Sequence, residues 1–284
     1  MLSILIPCYN YDILPLVSEL HQQVKALPIE FEILVYDDAS NSKFNKTNAS
    51  INNLEGCCFK ILSNNIGRSK IRNLLGNDAS YENLLFMDAD TFPQQKNFIK
   101  NYLSHENEKV VYGGITNEVE VPEKPYKLRW LYTKKRETQS ICSSNFLIKK
   151  SVFVLNQFDE TLTTYGYEDV VFFAGLKENN IKIKTIQNWA IHRCQETADN
   201  YISKLETGLQ NLLYLIEGNK LAQDESKLHK FYALARKFGM VPVVVLLFKT
   251  LKKGLIKNFN SSHPSIILLD FYKLGYFCLL KTKK

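Results

Sequence analysis

A doubly wound, mostly parallel α/β sheet followed by a helical appendage is the architecture this sequence predicts. Three observations predict it. Short apolar runs alternate with helical patterns through the first half of the chain. The strand-like runs end repeatedly in carboxylates or other polar residues. After about residue 200 strand patterns stop while helical periodicity continues. A β-α-β-α rhythm marks a parallel sheet with crossover helices, and in such sheets ligands gather beyond the carboxyl ends of the strands. The expected division is an α/β domain over residues 1–200 and a helical, basic appendage over 201–284.

The elements justify this in order. Leu2–Ile6 is rich in Ile and Leu and is stopped by Pro7, as expected of a buried strand. Leu14–Ala26 carries Leu16, Leu20 and Val24 at helical spacing. Phe31–Tyr36 and Phe59–Leu62 are the next strands, Arg68–Leu75 a helix, Leu84–Met87 the fourth strand, Phe98–Leu103 a helix and Val110–Tyr112 a strand. Beyond Tyr126 the pattern loosens: a basic helix over Trp130–Glu137, a strand over Cys142–Ile148 with a short helix from Lys149, a helix over Glu168–Leu176 and a strand over Ile181–Ile186. Tyr201–Ile216, Leu228–Phe238, Val241–Ile256 and Ile266–Leu280 are helical in pattern.

Composition narrows the class. With 284 residues, 45% apolar and 23% charged, the chain is long enough for a sizeable core and is neither disordered nor low-complexity. The six cysteines (Cys8, Cys57, Cys58, Cys142, Cys194, Cys278) form no CxxC pair and no zinc-finger spacing with histidine. Reduced, mostly buried thiols of a cytoplasmic protein are the expectation. Met1 leads directly into a strand-like run, so no secretory signal is expected. Net charge is +7, and it is concentrated: Met240–Lys284 holds eight lysines against Asp270 alone. A basic tail on a neutral body points to an anionic surface partner.

The chemistry-bearing residues lie just after the strands. Asp88-Ala89-Asp90 closes the apolar run Leu84–Met87. In extended or turn geometry residues i and i+2 point to one side, so Asp88 and Asp90 offer hard oxygens to Mg²⁺ or Mn²⁺ beside substrate phosphates. A lone Asp-x-Asp is common and can be a solvated turn; its place at a strand end favours the metal. Glu168-Asp169 opens a helix. Acids there complement the helix dipole, or one of them serves as a general base, for which an aspartate of ordinary pKa needs no tuning. His192 follows a strand-like stretch and is a candidate ligand with Asp90. Asn64-Asn65-Ile66-Gly67-Arg68 precedes a helix on which Arg72 stands one turn beyond Arg68. That glycine can turn backbone N–H groups toward an anion.

Taken together, Ser3–Asn10, Val35–Ser40, Asn65-Ile66-Gly67 with Arg72-Asn73, Met87–Asp90 and Gly166–Asp169 resemble, in this order, the family 2 glycosyltransferases of GT-A fold. The resemblance covers about residues 1–200 and marks them as a nucleotide-sugar-binding catalytic domain. It implies an inverting transfer of a single sugar from a nucleoside-diphosphate sugar, UDP-type, to a hydroxyl of a glycan or lipid-linked glycan. By the same resemblance Pro7, Tyr9, Asp37 and Asp38 would line the nucleotide, with Asn10, Asn65, Gly67, Arg68, Arg72 and Ala89 around the donor. Asp88 would reach ribose or metal, and Asp90 and His192 would hold metal. Asp169 would be the base with Glu168 beside it, and the Ser143-Ser144-Asn145 segment would face the donor sugar and acceptor. Ala39 stands where glycine is usual. The Gln-x-x-Arg-Trp motif of polymer-making members is absent, which implies single addition.

Two other classes fit these residues less well. A degenerate, transferase-like scaffold at the membrane is disfavoured by intact Asp88, Asp90, Glu168 and Asp169. A nucleotidyl transferase lacks its glycine-rich triphosphate loop, since Pro7-Cys8-Tyr9-Asn10 stands there. In the tail, Lys249, Lys252, Lys253 and Lys257 share one helical face and Val244, Leu247, Phe248, Leu251 and Leu255 another. This is the pattern of a helix lying in a membrane interface. Peripheral association with the inner face of the membrane is the expectation, and no nucleic-acid partner is expected.

Overall fold

The computed structural model describes residues 1–193, 196–221 and 226–282. In chain order the elements are β1 (Leu2–Cys8), α1 (Leu14–Lys25), β2 (Phe31–Asp37), α2 (Asn45–Asn48) running into a 3-10 turn (Ala49–Asn53), β3 (Cys57–Ile61), α3 (Arg68–Asp78), β4 (Asn83–Met87), β5 (Thr91–Pro93), α4 (Phe98–Leu103), β6 (Val110–Tyr112), β7 (Ile115–Asn117), α5 (Lys127–Lys135), β8 (Asn145–Lys149), α6 (Lys150–Phe153), α7 (Glu168–Glu178), β9 (Ile183–Thr185), β10 (Ala190–His192), α8 (Ala198–Glu217), α9 (Lys227–Lys237), α10 (Val241–Phe259) and α11 (Ile266–Thr282). They form two compact units. The first comprises Met1–Glu118, Arg136–Thr163 and Glu168–Arg193; the second comprises Val119–Lys135, Thr164–Tyr167 and Cys194–Lys284. A single cut near residue 200 cannot express this division, because α5 and the residues before α7 belong with the C-terminal helices.

In the first unit a seven-stranded sheet runs in the order β3-β2-β1-β4-β8-β6-β9. β8 is its one antiparallel strand, paired with β4 through Phe86↔Phe146 and with β6 through Val111↔Leu147. It starts at Asn145, later than the apolar pattern from Cys142 suggests, and one further bond, from the Asp88 N–H to the Ser144 carbonyl at 3.1 Å, carries its pairing with β4 just past the strand end. β5, β10 and β7 make a second, three-stranded sheet. These strands have three residues each, too few for an alternating pattern to show. The pleat sends alternate side chains of β1 to opposite faces. Ile4 and Ile6 join Val17, Leu20 and Phe98 on one side; Leu5 meets Phe86, Phe146 and Phe172 on the other. The second face is aromatic, with Phe158 stacked on Phe172 at 4.1 Å between centroids and Phe86 on Phe146 at 5.0 Å.

The second unit is helical. Phe248, Leu255 and Phe259 of α10 pack with Leu269 and Tyr272 of α11 and with Tyr201 and Ile202 of α8. α10 and α11 approach closely at Gly275, where an added Cβ would lie 2.6 Å from the Phe248 side chain. Val244, Phe248 and Leu255 therefore serve the core of this unit rather than an outer apolar face. Lys252 leaves the lysine face as well: it pairs with Glu206 of α8 at 3.0 Å. Among the described residues no single helix is long and apolar enough to cross a membrane. The described cysteines are free, but only Cys8 and Cys278 are buried, and Cys58 is exposed. Cys194 lies outside the described residues.

Candidate active site

Parallel register places the loops after β1, β2 and β4 side by side. Cys8 pairs with Asp37, Leu5 pairs with Phe86, and the Asp38 N–H donates to the Cys8 carbonyl at 2.9 Å. Tyr9 is exposed, and Asn10 takes a left-handed φ of 51° while accepting from Ser42 Oγ at 2.9 Å. Pro7 is half-buried at the strand end. Cys8 is held as a thiol, pushed up to about 12 by burial and then by the Asp37 carboxylate.

The two acids after β2 are buried and hold the loop around them. Asp37 accepts the Ser40 N–H at 2.8 Å and its hydroxyl at 2.6 Å, closing a turn in which Ala39 has φ 55°. That left-handed conformation is why glycine is the natural residue there. Asp38 accepts the Ile66 N–H at 2.7 Å and the Gly67 N–H at 2.9 Å, while Asn65 donates to its carbonyl at 3.0 Å. The sequence suggests that the glycine at the mouth of α3 presents backbone N–H groups to an anion. It does, with φ 86° at Gly67, but that anion is the Asp38 carboxylate, not a ligand phosphate.

α3 then projects two arginines toward acids on other elements. Arg72, fully buried, reaches Asp88 at 2.5 Å and lies over the Phe158 ring at 5.6 Å. Arg68, half-exposed, meets Glu168 at 3.1 Å. Both were expected as bare positive charge for a donor; both are paired. Buried charge is tolerated only with such partners. Asp88 thus has one oxygen committed to Arg72, which leaves the other for any ribose or metal.

Asp90 is different. Its carboxylate is nearly half exposed and contacts Nε2 of the buried His192 at 3.1 Å. The short β5–β10 ladder brings them together, pairing Thr91 with His192 while the Arg193 N–H donates to the Asp90 carbonyl at 2.8 Å. Among the described residues no group of three or more His, Cys, Asp or Glu is arranged as a metal cluster. The Asp90–His192 pair nevertheless fits a divalent ion. Adjacent ligands of an octahedral ion with bonds of about 2.1 Å stand about 3 Å apart, which is the spacing found.

Glu168 and Asp169 open α7, directly after Tyr167 with its strained φ of 71°. The half-buried Asp169 carboxyl is raised to about 7, first by burial and then by the Glu168 charge. The Val170 N–H and the two arginines only partly offset this. The expectation of an ordinary aspartate is therefore corrected: neutral and ionised forms of Asp169 are balanced near neutral pH.

Asn145 also departs from its expected role. It is fully buried, accepts from the Tyr102 hydroxyl at 2.6 Å, and donates to the carbonyls of Gly114 at 2.8 Å and Asn188 at 2.9 Å. With these bonds made, its side chain braces the sheet rather than facing a donor. Ala89 lies between the two acids, its side chain packed against the core. Sequence reasoning missed Phe158 under Arg72 and the tie of Asn73 to Glu160 at 3.0 Å, which no local pattern signals.

Polar strand-end loops on an open sheet, a strand-end Asp-x-Asp with a histidine facing its second acid, and an acid pair opening a helix sit on a fold of GT-A type. The chain belongs to glycosyl transferase family 2, whose family model matches residues 3–159. No curated protein matches the chain in sequence. Among solved structures it is similar to the mannosyltransferase PcManGT from Pyrobaculum calidifontis in complex with GDP-Man and Mn2+ (14% identity, TM-score 0.56, covering 100% of this chain and 86% of that one). It is also similar to mannosyl-3-phosphoglycerate synthase from Rubrobacter xylanophilus (15%, TM-score 0.55, 78% and 76%). A third is S. aureus TarS 1-349 in complex with UDP-GlcNAc (18%, TM-score 0.53, 99% and 92%). In its alignments with the UDP complex of that TarS fragment and with the longer TarS, the chain spans 65% and 39% of their lengths. At these identities the likeness shows the GT-A fold.

Proposed function

We propose that the α/β unit moves one sugar, with inversion, from a nucleoside-diphosphate sugar of UDP type to a hydroxyl of a glycan or lipid-linked glycan, with Mn²⁺ or Mg²⁺. The observation that carries this reading is the separation of roles around β4 and α7. Asp88 is locked by Arg72, Asp90 and His192 stand as a pair of metal donors, and Asp169 is a carboxyl poised near neutrality. Donor class and metal draw support from the neighbours bound to UDP-GlcNAc and to GDP-Man with Mn2+. A divalent ion held by Asp90 and His192 would supply positive charge to the leaving diphosphate. Asp169, when ionised, takes the proton of the acceptor hydroxyl as its oxygen bonds to the anomeric carbon and the bond from that carbon to the phosphate oxygen breaks. A single displacement of this kind inverts the anomeric centre. Glu168, tied to Arg68, stands beside Asp169 and raises its basicity. Cytoplasmic donors and a glycan-building pathway at the inner membrane face suit this reading.

The test is a screen of UDP- and GDP-sugars for thermal stabilisation and slow hydrolysis, with Mn²⁺, with Mg²⁺ and with chelator. One donor class should stabilise the protein only with metal. Asp90→Ala should remove metal-dependent donor binding and abolish transfer while leaving the melting curve of the free protein intact. Full activity in excess chelator, or in that variant, would overturn the metal assignment.

A further inference from the structure

The helical unit exposes an apolar surface that differs from the one the sequence suggests in every residue but Leu247. α9 ends at Lys237, Gly239 takes φ 65°, and the chain bends by 117° into α10. At about 100° per residue, Phe231, Leu234 and Phe238 fall on one side of α9, away from the buried His229 and Tyr232. Val243, Leu246 and Leu247 fall on one side of α10, away from the buried Val245 and Phe248. All six are exposed, Phe238 by 67% and Leu246 by 65%. Exposed apolar side chains scattered singly need no explanation, but three on the outer side of each of two consecutive helices do.

The charge around this corner says what covers it. Residues 227–257 contain no Asp or Glu. Lys227, Lys230 and Lys237 flank the apolar side of α9, and Lys249, Lys253 and Lys257 flank that of α10, all exposed. We propose that the α9–α10 corner docks on an anionic lipid bilayer, seating its six apolar side chains at the boundary of headgroups and acyl chains while the lysines meet the headgroups. The bend and the helix lengths make this an interfacial mode rather than a span. A second copy of the chain is a poor occupant, because it would bring the same dense positive charge against itself. The inference does not depend on the sugar-transfer reading: it concerns only the helical unit.

The experiment is co-sedimentation of the full chain with vesicles of phosphatidylcholine alone and of phosphatidylcholine mixed with phosphatidylglycerol. The chain should pellet with the anionic vesicles only, and binding should weaken as salt shortens the screening length below its physiological value of about 8 Å. Phe238→Glu with Leu246→Glu should lower the partition by about a hundredfold or more, since two large side chains lose their burial in lipid. Both positions are exposed, so the melting curve should be unchanged. Lys249→Glu with Lys253→Glu is the independent arm and should abolish the preference for anionic vesicles. The proposal is overturned if the chain does not bind anionic vesicles, if it binds neutral ones equally, or if either variant binds like the parent. It is also overturned if the chain is a lipid-free dimer that the Phe238 and Leu246 variant dissociates, which would make the corner an interface between copies.

Discussion

The two units lean away from ordinary burial in opposite directions, although the helical unit also buries Arg129 and the α/β unit also exposes Leu155. The α/β unit buries charge: Asp37, Asp38, Arg72, Glu168 and His192 are all inside. The helical unit exposes what is usually inside: Phe231, Leu234, Phe238 and Leu246 face outward. Buried polar groups and exposed apolar patches are the two informative exceptions to normal burial. In the first unit the main buried charges are settled within the chain, since Asp38 holds the mouth of α3 and Arg72 holds Asp88. Such mutual fixing gives a preorganised site. In the second unit the exposed apolar side chains have no such settlement within the unit, which is the observation that the bilayer proposal rests on.

The largest effect is expected at Asp169. Asp169→Asn keeps the shape and loses the basic oxygen, so kcat should fall by about 10²–10⁴-fold with donor affinity nearly unchanged. In the parent, kcat should rise with pH through about 7 and then level, because only the carboxylate accepts the proton. The variant's residual rate should lack that step. Stability gives a separate check. A carboxyl raised in the folded state favours folding while neutral, so its contribution is lost as pH rises from the unfolded value of about 3.9 through the folded one. Asparagine stays neutral, so the variant should gain in Tm over the parent across that window and hold the gain above it. If donor affinity collapses while kcat holds, Asp169 binds donor and the base is elsewhere.

A second prediction breaks the comparison directly. Arg72→Met strands Asp88 without its partner and should cost about 3–5 kcal/mol, the usual penalty for removing one side of a buried pair. Lys253→Met, on an exposed face of α10, should change stability by no more than about 0.5 kcal/mol. Urea midpoints of the two variants measure both. Equal midpoints would mean that the Arg72–Asp88 contact is ornamental, and the contrast between the units would fail.

Local signals made much of this legible, and long-range pairing accounts for the rest. The β1, β2 and β4 runs and the α1, α3 and α8–α11 periodicities are strong enough to read directly, and so is the carboxylate content of the strand ends. The order of the strands is not: nothing in Asn145–Lys149 says that it inserts antiparallel beside β4. Side-chain direction is equally hidden. Asp38, Asn65 and Gly67 are visible as a set, but whether they face a nucleotide or each other depends on a fold that brings residues 38 and 67 together. Val243–Ile256 is amphipathic on paper in more than one way. Only the packing of Phe248 against α11 decides which face is core.

The smallest effect sharpens the contrast at the level of backbone. Non-glycine residues with positive φ cluster in the loops after β1 and β2, at Asn10, Ala39 and Asn41. Asparagine tolerates that region through its short polar side chain; alanine does not, and a left-handed alanine costs about 1–2 kcal/mol. Ala39→Gly relieves this strain. It also frees the unfolded chain, which offsets about 0.4–1 kcal/mol of the gain. A net stabilisation of about 0.5–1 kcal/mol is expected, read as a rise in Tm of about 2–4 °C per kcal/mol. The turn itself should persist, because Asp37 holds Ser40 through both its N–H and its hydroxyl. If the variant is instead destabilised, the Ala39 methyl contributes packing that outweighs its backbone strain, and the loop after β2 is ordinary core rather than a strained rim held in place by its buried acids.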